Sequence, residues 1–133
     1  ISGTAPSLWY DTHMNETSVL FIEDDPLLAS TLSERLSQNG ITVTHAKTVA
    51  EAVAHTASAF SAIITDITLP DGNGLTTALT LRTGEDVPIV ALTNNDIDSV
   101  VPTGESLPNV TYILKAGHSM ADIVAAIEVV IQK

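Results

Sequence analysis

The stretch "FIEDDPLL" sets Glu23, Asp24 and Asp25 side by side between an apolar run and a proline. Like charges at that spacing repel one another, so three adjacent acids call for a reason. A hard divalent cation supplies one. Magnesium takes oxygen ligands and is commonly held by one or two carboxylates together with a phosphate group. Three further residues complete such chemistry. Asp66 follows the run "SAIIT" and is a carboxylate able to form an acyl phosphate. Thr93 closes "VPIVALT" with a hydroxyl, and Lys115 closes "NVTYILK" with a cation, both suited to phosphoryl oxygens. Two acids from one segment and one from another would hold the metal, and the phosphoryl group would pass to Asp66.

That chemistry requires the four segments to end at one place, and the pattern between them arranges it. "SVLFI" (18–22) reads as a buried strand. Asp25 then serves as N-cap and Pro26 as first helical residue, with Leu28, Leu32 and Leu36 along one face until Asn39-Gly40 stops the helix. "ITVTHA" (41–46) is a second strand, and Thr48 with Glu51 forms a capping box for a helix running to about Ser58. "SAIIT" (61–65) is a third strand, "LPDGNG" (69–74) a loop, and 75–82 a short helix. "VPIVALT" (87–93) and "NVTYILK" (109–115) are the fourth and fifth strands. A last helix starts near Ser119, with Asp122 completing a second capping box and Ile123, Ile127, Val130 and Ile131 on one face. Strands alternating with helices predict an α/β fold with a parallel sheet covered on both faces, whose chemistry lies beyond the carboxyl ends of the strands.

Composition narrows the function classes. The chain has 133 residues, 44% of them hydrophobic, which suits one domain with a real core. Five Lys and Arg against 16 Asp and Glu give a net charge of −11, which repels nucleic-acid backbones and anionic membranes. The absence of cysteine removes disulfides, thiolate metal sites and thiol catalysis. No apolar run approaches the roughly 18 residues of a membrane span. Residues 1–17, which include Trp9, Tyr10 and a Met14 that would fit a native start, read as a leader, added by cloning or disordered, or else as an arm packed on the domain or a neighbour. Residues 18–133 read as the domain.

Other motifs fail on inspection. Counting Asp71 as the first position of a calcium loop puts Arg82 where a bidentate Glu belongs. No glycine-rich phosphate loop follows the first strand, and no serine sits in a G-x-S-x-G turn. Asp66-Ile67-Thr68 lacks the second Asp of haloacid-dehalogenase-type phosphatases. His13, His45, His55 and His118 are scattered over different segments, so surface or core roles are their default.

"VLFIEDD", "IITDITLPDGNGL", "VPIVALT" and "YILK", in that order over about residues 18–132, resemble the signature regions of the response-regulator receiver domain of two-component signalling. The resemblance implies a doubly wound, flavodoxin-like five-stranded sheet of order 2-1-3-4-5. It implies that Asp66 is the phosphoacceptor, Asp24 a direct Mg2+ ligand and Glu23 a ligand through water, with Thr68 contributing its backbone carbonyl. Asp25 is then a helix cap, and Pro70 and Gly74 belong to the turn after the acceptor. Thr93 corresponds to the switch hydroxyl, Lys115 to the lysine that pairs with the phosphoryl group, and Tyr112 to the aromatic that reports the switch. The activity implied is Mg2+-dependent phosphotransfer and self-dephosphorylation, not metabolic catalysis. The partners implied are a histidine kinase or phosphotransfer protein and a downstream protein or fused output domain, in the cytoplasm, with a second copy of the chain as a further candidate.

The chain departs from the family pattern in three places. Ala116 follows Lys115 where the family usually has proline, and a non-proline peptide strongly prefers trans. Asn94 follows Thr93 where a small residue is usual. "DIDSVVPTGESLPN" (96–109), which should hold the fourth helix, is interrupted by Pro102, Gly104 and Pro108, predicting a short or irregular helix there. These departures sustain a second reading, a receiver-like protein-binding module that works without phosphorylation.

Overall fold

The apolar runs pair with one another in parallel. The computed structural model describes residues 17–55, 59–94 and 107–131. In it β1 (Thr17–Ile22), β2 (Ile41–Ala46), β3 (Ala62–Asp66), β4 (Ile89–Thr93) and β5 (Val110–Leu114) form one sheet in the order β2-β1-β3-β4-β5. This is the order that the resemblance implies. The expectations for the leader at 1–17 and for the helix within 96–109 fall almost wholly outside the described residues. Of those stretches, Thr17 opens β1 and Pro108-Asn109 make the turn into β5.

Both faces of the sheet are buried because side chains alternate along each strand. On β1, Val19 and Phe21 point to one core, where Val90 and Leu92 of β4 join them. That core is closed by Ala29, Leu32 and Leu36 of α1 (Pro26–Gln38) and by Ile123, Val124 and Ile127 of α4 (Met120–Ile131). Leu20 and Ile22 point to the other core with Ile63, Ile89 and Ala91, under Ala52 of α2 (Val49–Val53) and Leu75 and Ala78 of α3 (Gly74–Leu81). Truncating a fully buried leucine such as Leu32 to alanine costs about 2–5 kcal/mol in such a core.

The helix boundaries follow their caps. The Asp25 carboxylate accepts from Leu27 N (3.0 Å) and Leu28 N (3.3 Å), and Pro26 occupies the first turn. At the other end of α1, Gly40 takes the left-handed conformation (φ 83°) that a glycine accepts without strain. Ser119 and Asp122 cap α4 reciprocally, as the capping box predicts. At α2 the box is shifted by one residue: Thr48 Oγ1 accepts from Glu51 N, but Glu51 Oε1 accepts from Lys47 N.

One loop is more ordered than its composition suggests. At "LPDGNG", Leu69 pairs with Gly72, and the preceding Thr68 with Asn73, in a small antiparallel hairpin tipped by Pro70-Asp71. Asn73 then caps α3 through Thr76 N at 2.9 Å. Among the described residues, no helix is long and apolar enough to cross a membrane.

Candidate functional site

Four adjacent strands end in the residues that the chemistry needs. β1 runs into Glu23 and Asp24, β3 ends on Asp66, β4 on Thr93, and β5 runs into Lys115. Because β1, β3, β4 and β5 are parallel neighbours, these ends lie on one edge of the sheet. One ligating oxygen from each of Glu23, Asp24 and Asp66 lies within 4.8 Å of the others. Glu23 is wholly buried, Asp66 is 8% exposed, and Asp24 faces solvent. The structure thus brings together the acids separated by 42 residues of chain or more and leaves Asp25 outside as a cap.

Lys115 completes the cluster. Its Nζ lies 3.0 Å from Glu23 Oε1 and 3.3 Å from Asp66 Oδ2. Burial raises the Glu23 carboxyl above its ordinary value, opposed by the hydrogen bonds from Lys115 and from Asp25 N. Burial also works against the Lys115 charge. The hydrogen bond to Glu23 and the charges of Asp66 and Glu23 outweigh it and hold the ammonium above the usual lysine range. A cleft of about 340 Å³ opens beside the cluster, lined by Asp24, Asp66, Thr68 and Asn94. Thr68 and Asn94 are exposed, and Thr93 is 2% exposed.

The lysine reaches the acids without the proline of the family pattern. The described peptide bonds are all trans, and the turn after Lys115 closes through His118 N to Lys115 O (3.4 Å) with Gly117 at φ 81°. Tyr112 makes no hydrogen bond to the acid cluster. It is half-buried on β5, packs on the α2–α3 core, and has a buried hydroxyl with no hydrogen-bond partner among the described residues. Burial raises its phenol above the ordinary tyrosine value.

Three further residues support the site. His45 Nε2 lies 2.8 Å from the carbonyl of Glu23; a carbonyl only accepts, so this nitrogen carries the proton. The signal was available in the register, since His45 is the partner of Phe21 two residues before Glu23. Asp71, at the tip of the hairpin, accepts from Val49 N (2.9 Å) and Ala50 N (3.1 Å) and so ties the loop after Asp66 to α2. Gly74 is required by space: a Cβ there would overlap the carbonyl oxygen of Asp66 and Thr65 Oγ1.

Comparison with known proteins agrees with this geometry. The family model described as "Response regulator receiver domain" matches residues 19–128. The swarming motility regulation protein RssB of Serratia marcescens is 34% identical over 95 residues, which span 69% of this chain and 43% of that protein's length. Among solved structures, the non-phosphorylated HemR receiver domain of Leptospira biflexa superposes with a TM-score of 0.73 at 32% identity, covering 88% of this chain and 95% of that one. A two-component response regulator of Clostridium difficile gives 0.72 at 25% identity, covering 88% and 97%. With its parallel sheet, its acid cluster and a family match over most of its length, the chain belongs to the response-regulator receiver domain family of two-component signalling.

Proposed function

We propose that Asp66 accepts a phosphoryl group from the phosphohistidine of a histidine kinase or phosphotransfer protein. Mg2+ would be held by Asp24, Asp66 and the carbonyl of Thr68, and by Glu23 through water. The observation that carries the reading is the meeting of Glu23, Asp24 and Asp66 within 4.8 Å, with the Lys115 ammonium bridging two of them. Three carboxylates with one ammonium to offset them suit a small dication, and the donor set is all oxygen, as Mg2+ prefers. When bound, Mg2+ supplies positive charge that offsets the approach of an anionic phosphoryl group to these acids.

In the transfer, an Asp66 carboxylate oxygen bonds to phosphorus, the phosphorus–nitrogen bond of the donor breaks, and the departing imidazole keeps the electron pair. Lys115 and the Thr93 hydroxyl would meet the phosphoryl oxygens. Hydrolysis of the acyl phosphate returns the acceptor carboxylate. Contacts made by Thr93 and Lys115 only in the phosphorylated state would bias the face of β5 and α4, with Tyr112 as reporter, toward a downstream protein or fused output domain. That face carries a groove of about 620 Å³ lined in part by Tyr112, Leu114 and Ile123.

The test is intact mass after incubation with acetyl phosphate and Mg2+. One phosphoryl adduct is expected, absent in chelator and in Asp66→Asn. No adduct and no Mg2+ binding would instead favour the phosphorylation-independent module.

A further inference from the structure

Buried polar residues in the described part of the molecule are Glu23, Thr65, Asp66 and Thr93, and the proposed chemistry gives Thr65 no part. Thr65 is wholly excluded from solvent, and its hydroxyl donates to the carbonyl of Asp66 at 2.8 Å. The last pair of the β1–β3 ladder is Ile22 with Thr65, so Asp66 lies one residue beyond it. A buried carbonyl past the end of a ladder needs another donor, and the Thr65 hydroxyl supplies it.

The next atom pair is fixed as well. Ile67 N donates to the carbonyl of Leu92 at 3.1 Å. The peptide unit joining Asp66 to Ile67 is therefore bonded at both polar ends, by Thr65 on its oxygen and by Leu92 on its N–H. Gly74 closes the remaining space, because it lies against both the Asp66 carbonyl oxygen and Thr65 Oγ1. Bonds at both polar ends oppose rotation of this peptide plane, whose orientation sets the direction in which the chain leaves Asp66 toward Thr68.

We infer that Thr65 is a positioning residue for phosphoryl transfer: its hydroxyl locks the Asp66–Ile67 peptide plane and so holds the acceptor carboxylate and Thr68 in register around a shared cation. The inference rests on the phosphoacceptor reading of the site. Thr65 acts through the backbone of Asp66 and touches neither the metal nor the donor.

Two substitutions separate the hydroxyl from the packing. Thr65→Val keeps the shape and removes the donor, whereas Thr65→Ser keeps the donor and removes a methyl group. Each is compared with wild type for Mg2+ affinity, followed by amide shifts of Ile67 and Thr68, and for acetyl phosphate uptake, resolved into saturating rate and half-saturating donor concentration. Thr65→Val is expected to weaken Mg2+ binding and to lower the saturating rate, each by about 10-fold or more, as loss of outer-shell support typically does. Its half-saturating donor concentration should barely change, and Thr65→Ser should stay close to wild type throughout. A valine variant equal to wild type, or serine and valine variants equally impaired, would overturn the inference. A wild-type protein that binds Mg2+ but takes no phosphoryl group defeats the phosphoacceptor reading and with it the role of Thr65 in transfer, and Mg2+ affinity of the two variants then decides whether Thr65 still holds Asp66 and Thr68 around the cation. One that binds no Mg2+ overturns both.

Discussion

The backbone N–H of Lys115 donates to the carbonyl of Thr93 across 2.8 Å, so the residue that carries the cation and the residue that carries the hydroxyl are bonded main chain to main chain. The ammonium of Lys115 turns from that anchor toward Glu23 and Asp66. Replacing Lys115 by methionine leaves Glu23 buried and uncompensated. Loss of one partner of a buried pair costs about 3–5 kcal/mol. The variant should unfold at a clearly lower temperature at pH 7 and bind Mg2+ more tightly, since a competing charge has gone; calorimetry with and without Mg2+ reads both.

Glu23→Gln should act in the opposite direction on the metal-free protein, because Lys115 keeps Asp66 as a partner at 3.3 Å while the buried charge of Glu23 is gone. A carboxyl raised in the fold contributes stability that is fully present below its unfolded value and is lost as pH rises through the folded one. For Glu23 that loss falls on the neutral side of the ordinary glutamate range. The glutamine variant should therefore be more stable than wild type at pH 7, with the difference closing as pH falls below about 4, near the ordinary glutamate value. Thermal midpoints across that range, measured in chelator, decide it.

Asp71 gives the reverse pH sign. The N–H groups of Val49 and Ala50 hold its carboxyl below the ordinary aspartate value. Its contribution is present above the unfolded value and is lost as pH falls through the folded one. Asp71→Ala should speed hydrogen exchange at Val49 and Ala50 several-fold at neutral pH, while Asp71→Asn, which keeps one acceptor, should fall between the two. Unchanged exchange at both amides would sink the tie between the hairpin and α2.

Gly74→Ala should be costly, because the added methyl meets backbone and not a movable side-chain tip. Overpacking of this kind typically costs about 1–3 kcal/mol. Chemical denaturation should show the midpoint falling with an unchanged slope.

Tyr112→Phe removes a buried hydroxyl that has no hydrogen-bond partner among the described residues. An unsatisfied buried polar group carries a penalty of about 1–3 kcal/mol, so the variant should match or exceed wild type in stability. A loss of more than about 1 kcal/mol, the usual worth of one hydrogen bond, would mean that the hydroxyl is bonded in solution.

The fold could be read because strands buried on both faces appear as short apolar runs and because their helices open on recognisable caps, Asp25 and Ser119 among them. The acid cluster could be read because Glu23, Asp24, Asp66, Thr93 and Lys115 each follow or close such a run. What the sequence hid depends on contacts across the fold. Thr65 sat inside an apolar run and read as strand. Asp71 read as a turn residue because its partners lie 21 and 22 positions away on another element. The hairpin at 68–73 has strands of two residues each, too short for any alternation to register.

Glu23 and its partner Lys115 are 92 positions apart, and Lys115 follows a strand that, among the described residues, pairs only with β4 at the sheet edge. During synthesis the three acids therefore emerge long before the lysine that partly offsets them. The amino-terminal strands must carry that uncompensated charge until the edge strand docks. Early assembly is thus opposed by repulsion at the same point where the finished fold gathers its acids, and free divalent cations in the medium should speed the closing step of refolding by standing in for the late lysine.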